Sequence, residues 1–437
     1  MFRTAYKPLL IIFFLFLLLA GGTSFAAEKI NLEDAVALAL GQNLEILSAR
    51  QENVKAQGLV KIARGAFFPS LSVNGEYTRQ EETVTRIGDS YGGDLSVSQK
   101  VYMGGKLWAY RKQADYNLVI AESSISATEE RVVLEVYSRF YSVLLARENV
   151  TTAEDALAYA EDYALELKKK KEVGLATSLE VTRAEQLRVA SRQDLLEARN
   201  DLKAAKVLLF ELLRISSDQD REVEGVLEYL PENPDQEGSL EKAFENRPEL
   251  VNLRTRILFQ EENIEIARAG LRPDVSVTGK WSYDDPATGT TGSSAGDDTW
   301  SVKVNVNLPL YDNGITRGKV TQEEASLQQA INNLSSQEDS IRSEISTLVL
   351  ELQSTASRVE ETAKNLELAE ESLRLAEVGY REGVGIQLDV LEARRSLTQV
   401  RLSYSSAVKD YNLGLARLRK AEGRLVSYSL KGKEIKE

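Results

Sequence analysis

The sequence predicts a mainly α-helical protein with a minor β component, a tandem repeat of long coiled-coil helices plus four strands. Three observations predict it. Glycine and proline are absent from Lys106 to Val173 and from Lys319 to Val378. Apolar residues recur every seven positions through these runs, and the second half of the chain repeats the first.

Reach decides the first point. Helices filling these runs would extend roughly 90–100 Å at 1.5 Å per residue. A helix that long cannot bury one face in a compact domain, so it belongs in a coiled coil or a helical barrel. The spacing agrees. Ile345, Leu352, Val359, Leu366, Leu373 and Tyr380 form one heptad stripe; Val390, Leu397, Tyr404, Tyr411 and Leu418 form another. Beside the second lies a stripe dominated by small residues, Ala393, Val400, Ala407, Gly414 and Ala421, which gives large knobs shallow holes on a close neighbour. Gly379 to Gly385 reads as the tight turn between the two helices.

An offset of 209 residues lays Val136, Val143, Val150, Leu157 and Ala164 on the Ile345 stripe, and Glu180 on Asp389. The repeats span 32–214 and 239–423, joined by a linker at 215–238 and followed by a C-terminal tail at 424–437. The first repeat carries strands near 69–79 and 94–103, a long helix near 105–172 and a helix near 178–214. The second carries strands near 273–284 and 299–310, a long helix near 314–380 and a helix near 386–422.

The strands are read from alternation. Trp300, Val302, Val304, Val306 and Leu308 alternate with Ser301, Lys303, Asn305 and Asn307; Val275, Val277, Gly279, Trp281 and Tyr283 alternate with Ser276, Thr278, Lys280 and Ser282. Leu71, Val73 and Tyr77, and then Leu95, Val97 and Val101, do the same in the first repeat. Such segments suit a soluble half-buried hairpin. They also suit a transmembrane β-barrel, with Trp281, Tyr283, Trp300, Tyr77 and Tyr311 as interfacial girdles. The polar stretches Glu81–Asp94 and Asp284–Thr299 are then the outer hairpin tips.

The N-terminus favours the membrane. Residues 1–26 read as a signal peptide, with Arg3 and Lys7 ahead of the apolar run Leu9–Ala20 and a small-residue site at Ser24-Phe25-Ala26; the alternative is an uncleaved anchor. Composition narrows the chemistry. The chain has no His and no Cys, 54 Lys plus Arg against 67 Asp plus Glu, and a net charge of −13. Imidazole and thiolate catalysis, disulfides and the common metal sites are excluded, and an acidic surface argues against nucleic acid. No cofactor and no metal are expected. Four strands cannot close alone, and lipid tolerates no open sheet edge. Three chains pooling their strands give a 12-stranded barrel with a lumen.

The ordered set of elements resembles the outer-membrane efflux protein, or TolC-like, family. Ala63 to Leu71, Asn307 to Gly314, Gly379-Tyr380 and Leu388 to Ala393 carry the resemblance, which covers roughly residues 30 to 423. It implies a homotrimer whose outer-membrane β-barrel continues into a periplasmic α-helical barrel. It also implies an exit duct working with a periplasmic adaptor and an inner-membrane pump, in efflux or type I secretion, and no enzymatic activity. The family's periplasmic gate tyrosine and carboxylate correspond to Tyr380 and Glu180. Its gate arginine falls on Gly385, and the threonine before its carboxylate falls on Leu179. Its acidic pore constriction corresponds to Asp389 and Glu392, which otherwise read as an ordinary solvated helix face. The alternative to a duct is a non-pore coiled-coil protein spanning the periplasm; an envelope hydrolase using acidic residues would need a compact pocket.

Overall fold

The computed structural model describes residues 29–82, 86–216, 221–285 and 297–434; the expected signal peptide lies outside them. In chain order the elements are β1 (Lys29–Ile30), α1 (Leu32–Gln42), α2 (Leu44–Gly65), β2 (Ser70–Glu82), β3 (Arg86–Met103), α3 (Lys106–Glu172) and α4 (Ser178–Leu212). Then come β4 (Glu222–Val223), α5 (Gln236–Asn246), α6 (Pro248–Arg268), β5 (Asp274–Asp285), β6 (Asp297–Asn307), α7 (Ile315–Arg381), α8 (Gln387–Ala421) and α9 (Leu425–Glu434).

The two breaker-free runs form single helices of 67 residues each, α3 and α7, with Val173 at the end of the first run capping α3. Each spans roughly 100 Å. Each ends where a glycine takes a left-handed conformation, Gly174 and Gly383, both at φ 77°. Beyond those glycines Leu175 N–H donates to the Lys170 carbonyl at 2.8 Å, and Val384 N–H to the Gly379 carbonyl at 3.0 Å. The last-turn carbonyls are thereby satisfied as the chain reverses.

α4 packs along α3 and α8 along α7. The heptad stripes supply the contact: Ile345, Leu352 and Val359 on α7 are buried in one cluster with Tyr411 and Leu418 on α8. A β-carbon added to Gly414 would come 3.4 Å from Leu352 Cδ1, so the small-residue stripe is what lets the helices approach. Each such leucine contributes about 1.5–3 kcal/mol relative to an exposed one. Toward the sheet, α2 and α6 pack on α3, and α6 also packs on α7.

The strands form one antiparallel sheet in the order β2-β3-β5-β6. Trp281 pairs directly with Trp300, and Tyr77 with Tyr91 at 5.1 Å between ring centroids. Val302, Val304 and Val306 leave 62–64% of their surface exposed, so the sheet's apolar face has no cover in the protomer. The outer edges of β2 and β6 have no partner strand among the described residues.

Both hairpin tips differ in extent from the sequence reading. The first hairpin tip does not extend over the whole of 81–94, because the β2–β3 ladder continues to Glu82 opposite Arg86 and β3 pairs with β5 from Tyr91 onward. Backbone bonds hold polar and glycine residues in register there, and alternation carries no trace of them. In the second hairpin β6 starts at Asp297, inside the tip expected at 284–299. Residues 286–296 of that tip lie outside the described residues.

The linker at 215–238 is tied to the helices in its described residues. Its β4 pairs in parallel with β1, the Arg147 guanidinium donates to the Val223 and Gly225 carbonyls, and α5 begins within it. The C-terminal tail carries helix α9, with Leu425 fully buried. The Glu130 carboxylate accepts from Leu425 N–H at 3.1 Å and Val426 N–H at 3.2 Å, satisfying two orphan donors at the start of α9. Burial is what raises this carboxyl, to a pKa of about 7.

Candidate functional site

The two helix-to-helix turns, Val173–Thr177 and Glu382–Ile386, lie at the ends of α3 and α7 away from the sheet. Between the two helical hairpins lies a cleft of about 200 Å³ whose lining includes Tyr159, Tyr163, Lys170 and Tyr380.

Glu180 is the third residue of α4. Its carboxylate accepts the Thr177 backbone N–H at 2.6 Å and the Thr177 hydroxyl at 2.8 Å, while Glu180 N–H donates to Thr177 Oγ1 at 3.2 Å. This is a complete capping box. The Thr177 backbone N–H, followed by its hydroxyl, holds the Glu180 carboxyl below the usual range. Asp389 occupies the same position in α8 and accepts Ile386 N–H at 3.4 Å. Isoleucine has no side-chain acceptor, so only half of that box exists. Asp389 and Glu392 are both exposed.

Tyr380 and Glu180 are not hydrogen-bonded to each other in the protomer, among the described residues. Lys170 stands between them. Its ammonium lies 5.5 Å from the centre of the Tyr380 ring and 2.6 Å from Glu166. The Glu166 contact first, and then the fields of Tyr380 and Glu180, raise the lysine's pKa. A β-carbon at Gly385 would meet Gly379 C and Tyr380 N at 3.1 Å, so this turn is closed too tightly for the family's arginine as it stands.

Above the turns, α3 and α8 meet along a second line of contacts. Tyr159 and Tyr163 stack with centroids 5.7 Å apart. The Arg394 guanidinium lies 4.3 Å from the centre of the Tyr159 ring and donates to the Asp155 carbonyl at 3.4 Å. Arg401 pairs with Asp155 at 3.3 Å and with Glu370 at 3.2 Å. The sequence reading missed Lys170 and all of these residues. Their signal was two tyrosines four apart on one helix, and Gln387, Leu391 and Arg394 on one face of the other.

The sequence profile of the outer membrane efflux protein family matches residues 35–213 and 239–424. The chain belongs to the outer membrane efflux protein family. It is 24% identical over 413 residues to outer membrane protein TolC of Vibrio cholerae, covering 93% of each chain. It is 26% identical over 391 residues to the cobalt-zinc-cadmium resistance protein CzcC of Cupriavidus metallidurans, covering 87% of this chain and 86% of that one. Its fold matches the crystal structure of outer membrane protein VceC of Vibrio cholerae with a TM-score of 0.75 at 21% identity, covering 90% of this chain and 96% of that one. As an outer membrane efflux protein it places its sheet in the outer membrane and its long helices in the periplasm. Among the described residues no helix is long and apolar enough to cross a membrane.

Proposed function

We propose that three copies of this chain form the exit duct of a tripartite efflux or type I secretion system, a passive conduit without enzymatic activity. One observation carries the assembly: a four-stranded sheet, apolar on its uncovered face and, among the described residues, unpaired at both edges, sits at the end of helices roughly 100 Å long. Lipid tolerates no open edge, so the strands close with those of other copies, and twelve strands leave a lumen. Twelve helix segments continue that lumen through the periplasm.

The partners are a periplasmic adaptor and an inner-membrane pump. Leu175, Val384 and Ile386 at the turns are 77%, 86% and 61% exposed, an apolar surface suited to an adaptor. The gate lies at these turns, with Tyr380 and Glu180 linking neighbouring coiled coils and Asp389 and Glu392 forming an acidic ring around the pore. Planar-bilayer recording of the purified oligomer tests the duct. Discrete ion conductance with low resting current is expected, and a non-conducting protein would leave only a periplasm-spanning coiled coil.

A further inference from the structure

We propose that the barrel lumen carries a basic belt, built by Lys100, Lys280 and Lys303, that binds multivalent anions and favours anionic cargo on its way out. The belt rests on the reading that three copies close their sheets into one barrel. The apolar face of the sheet then meets lipid, and the opposite face lines the lumen.

Cross-strand register fixes which side chains share that face. Counted outward from the helices, Lys100 stands opposite Ser276 on one row, Lys303 opposite Thr278 on the next, and Lys280 opposite Ser96 on the third. The Ser98 and Thr278 hydroxyls meet at 3.4 Å on the same face. Strict alternation would send Tyr102 after Lys100 into the lumen. The register shift between them instead sets Tyr102 opposite Val275 on the apolar face, and Lys100 stays on the polar one. Rows on one face are two residues apart, so the belt is roughly 13 Å deep.

The charge of this zone runs against that of the chain, whose net charge is −13. Asp274 lies one row below the belt and Asp94 one row above it, so the lysine rows themselves hold no acid. Asp94 pairs with Lys280 at 3.4 Å and also accepts from Asn74 Nδ2 at 3.1 Å. Lys100 and Lys303 are exposed and have no ion-pair partner among the described residues. On β2, which would close against β6 of the next copy, the polar face offers Ser70, Ser72 and Asn74 before its first acid, Glu76. Three copies with two unpaired lysines each therefore bring six ammonium groups around one lumen. Rings of lysine or arginine favour anions and phosphates in pores, and a channel walled by low-dielectric strands focuses a field of one sign. An anion with several charges meets several of these groups at once. The acids of the tip sit at the far end of helices roughly 100 Å long, so the two ends can be probed separately.

The test is planar-bilayer recording of the full-length oligomer at low salt, with tripolyphosphate added to the hairpin side. Block of the wild type at micromolar concentration, relieved by added salt, is expected. Lys100→Gln with Lys303→Gln should weaken block at least tenfold, while Lys100→Arg with Lys303→Arg should keep it. Asn305→Arg, which adds a cation to the Lys100 row, should tighten block several-fold, and it decides the matter if the glutamine variant fails to assemble. A conducting wild type indifferent to tripolyphosphate would overturn the belt and leave the duct. So would a glutamine variant blocked at the wild-type concentration, or an Asn305→Arg channel no more sensitive than wild type. An assembled oligomer that passes no current would overturn the duct, and the belt with it.

Discussion

Glu180 and Asp389 lie 209 residues apart and do the same local work: each accepts the backbone N–H three residues before it at the start of a helix, Thr177 at 2.6 Å and Ile386 at 3.4 Å. The repeat thus preserves an acid at the third helical position for a helix-terminal reason. The difference lies at the cap residue. Thr177 returns a bond to Glu180 N–H and Ile386 cannot, so the second turn is less firmly closed than the first.

That asymmetry is testable. Ile386→Thr should complete the second box and stabilise the protein by about 1 kcal/mol, and Thr177→Ala should cost a similar amount. Thermal unfolding of the oligomer followed by circular dichroism reads both. Opposite-signed shifts are expected, and a destabilised Ile386→Thr would mean that the isoleucine is needed for packing.

The facing of β6 makes a second prediction. Val304 and Val306 share the uncovered apolar face, while Asn305 between them points to the other side. Val304→Arg or Val306→Arg should impair assembly in the outer membrane, because arginine at the lipid midplane costs about 2–4 kcal/mol per copy. Asn305→Arg should insert normally. Outer-membrane fractionation and gel mobility of the oligomer decide it, and equal insertion of all three would reverse the assigned faces.

Asp389 and Glu392 make a third. Both are exposed and three residues apart on α8, so a trimer would aim six carboxylates at one axis. Converging oxygen ligands bind hard cations. Divalent or hexammine cations added from the periplasmic side should block current, Asp389→Ala should relieve block more than Glu392→Ala, and the double variant should abolish it. The double variant should keep its stability, since exposed charges contribute little to folding. Block of the double variant at wild-type concentrations would leave these acids as a solvated helix face.

Glu130 makes a pH prediction far from the tip. Below about pH 4.5 its carboxyl is protonated in both folded and unfolded chains, and its contribution to stability is complete. As pH rises toward 7 the unfolded chain releases the proton while the folded chain keeps it, so stability falls; above 7 the loss is complete. The raised pKa corresponds to a loss on the order of 3 kcal/mol. Glu130→Gln, which cannot ionise, should lack this component. The stability difference between wild type and variant should therefore decline between pH 4.5 and 7, read by urea unfolding at each pH. A flat difference would show that this carboxyl does not titrate on folding.

The long helices and their buried faces were legible because a breaker-free run with a seven-residue apolar repeat has one way to hide its stripe. Ile345, Leu352, Val359, Val390 and Leu418 are buried as that spacing requires. The four strands were legible wherever one face meets lipid and alternation is enforced, as from Trp300 to Val306. Between Arg86 and Asp94 the sequence shows no apolar alternation, and the backbone ladder together with cross-strand contacts such as Tyr77–Tyr91 makes those residues a strand. Which distant side chains meet was likewise decided by the tertiary structure alone. Tyr159 finds Arg394, Glu130 caps α9 and Arg147 holds the strap at Val223 because rigid helices packed in register bring those positions together. Sequence spacing sets the face that a residue occupies on its own element. The residue that it meets there depends on how two long cylinders slide and roll against each other, and that is fixed by the packing of the whole repeat.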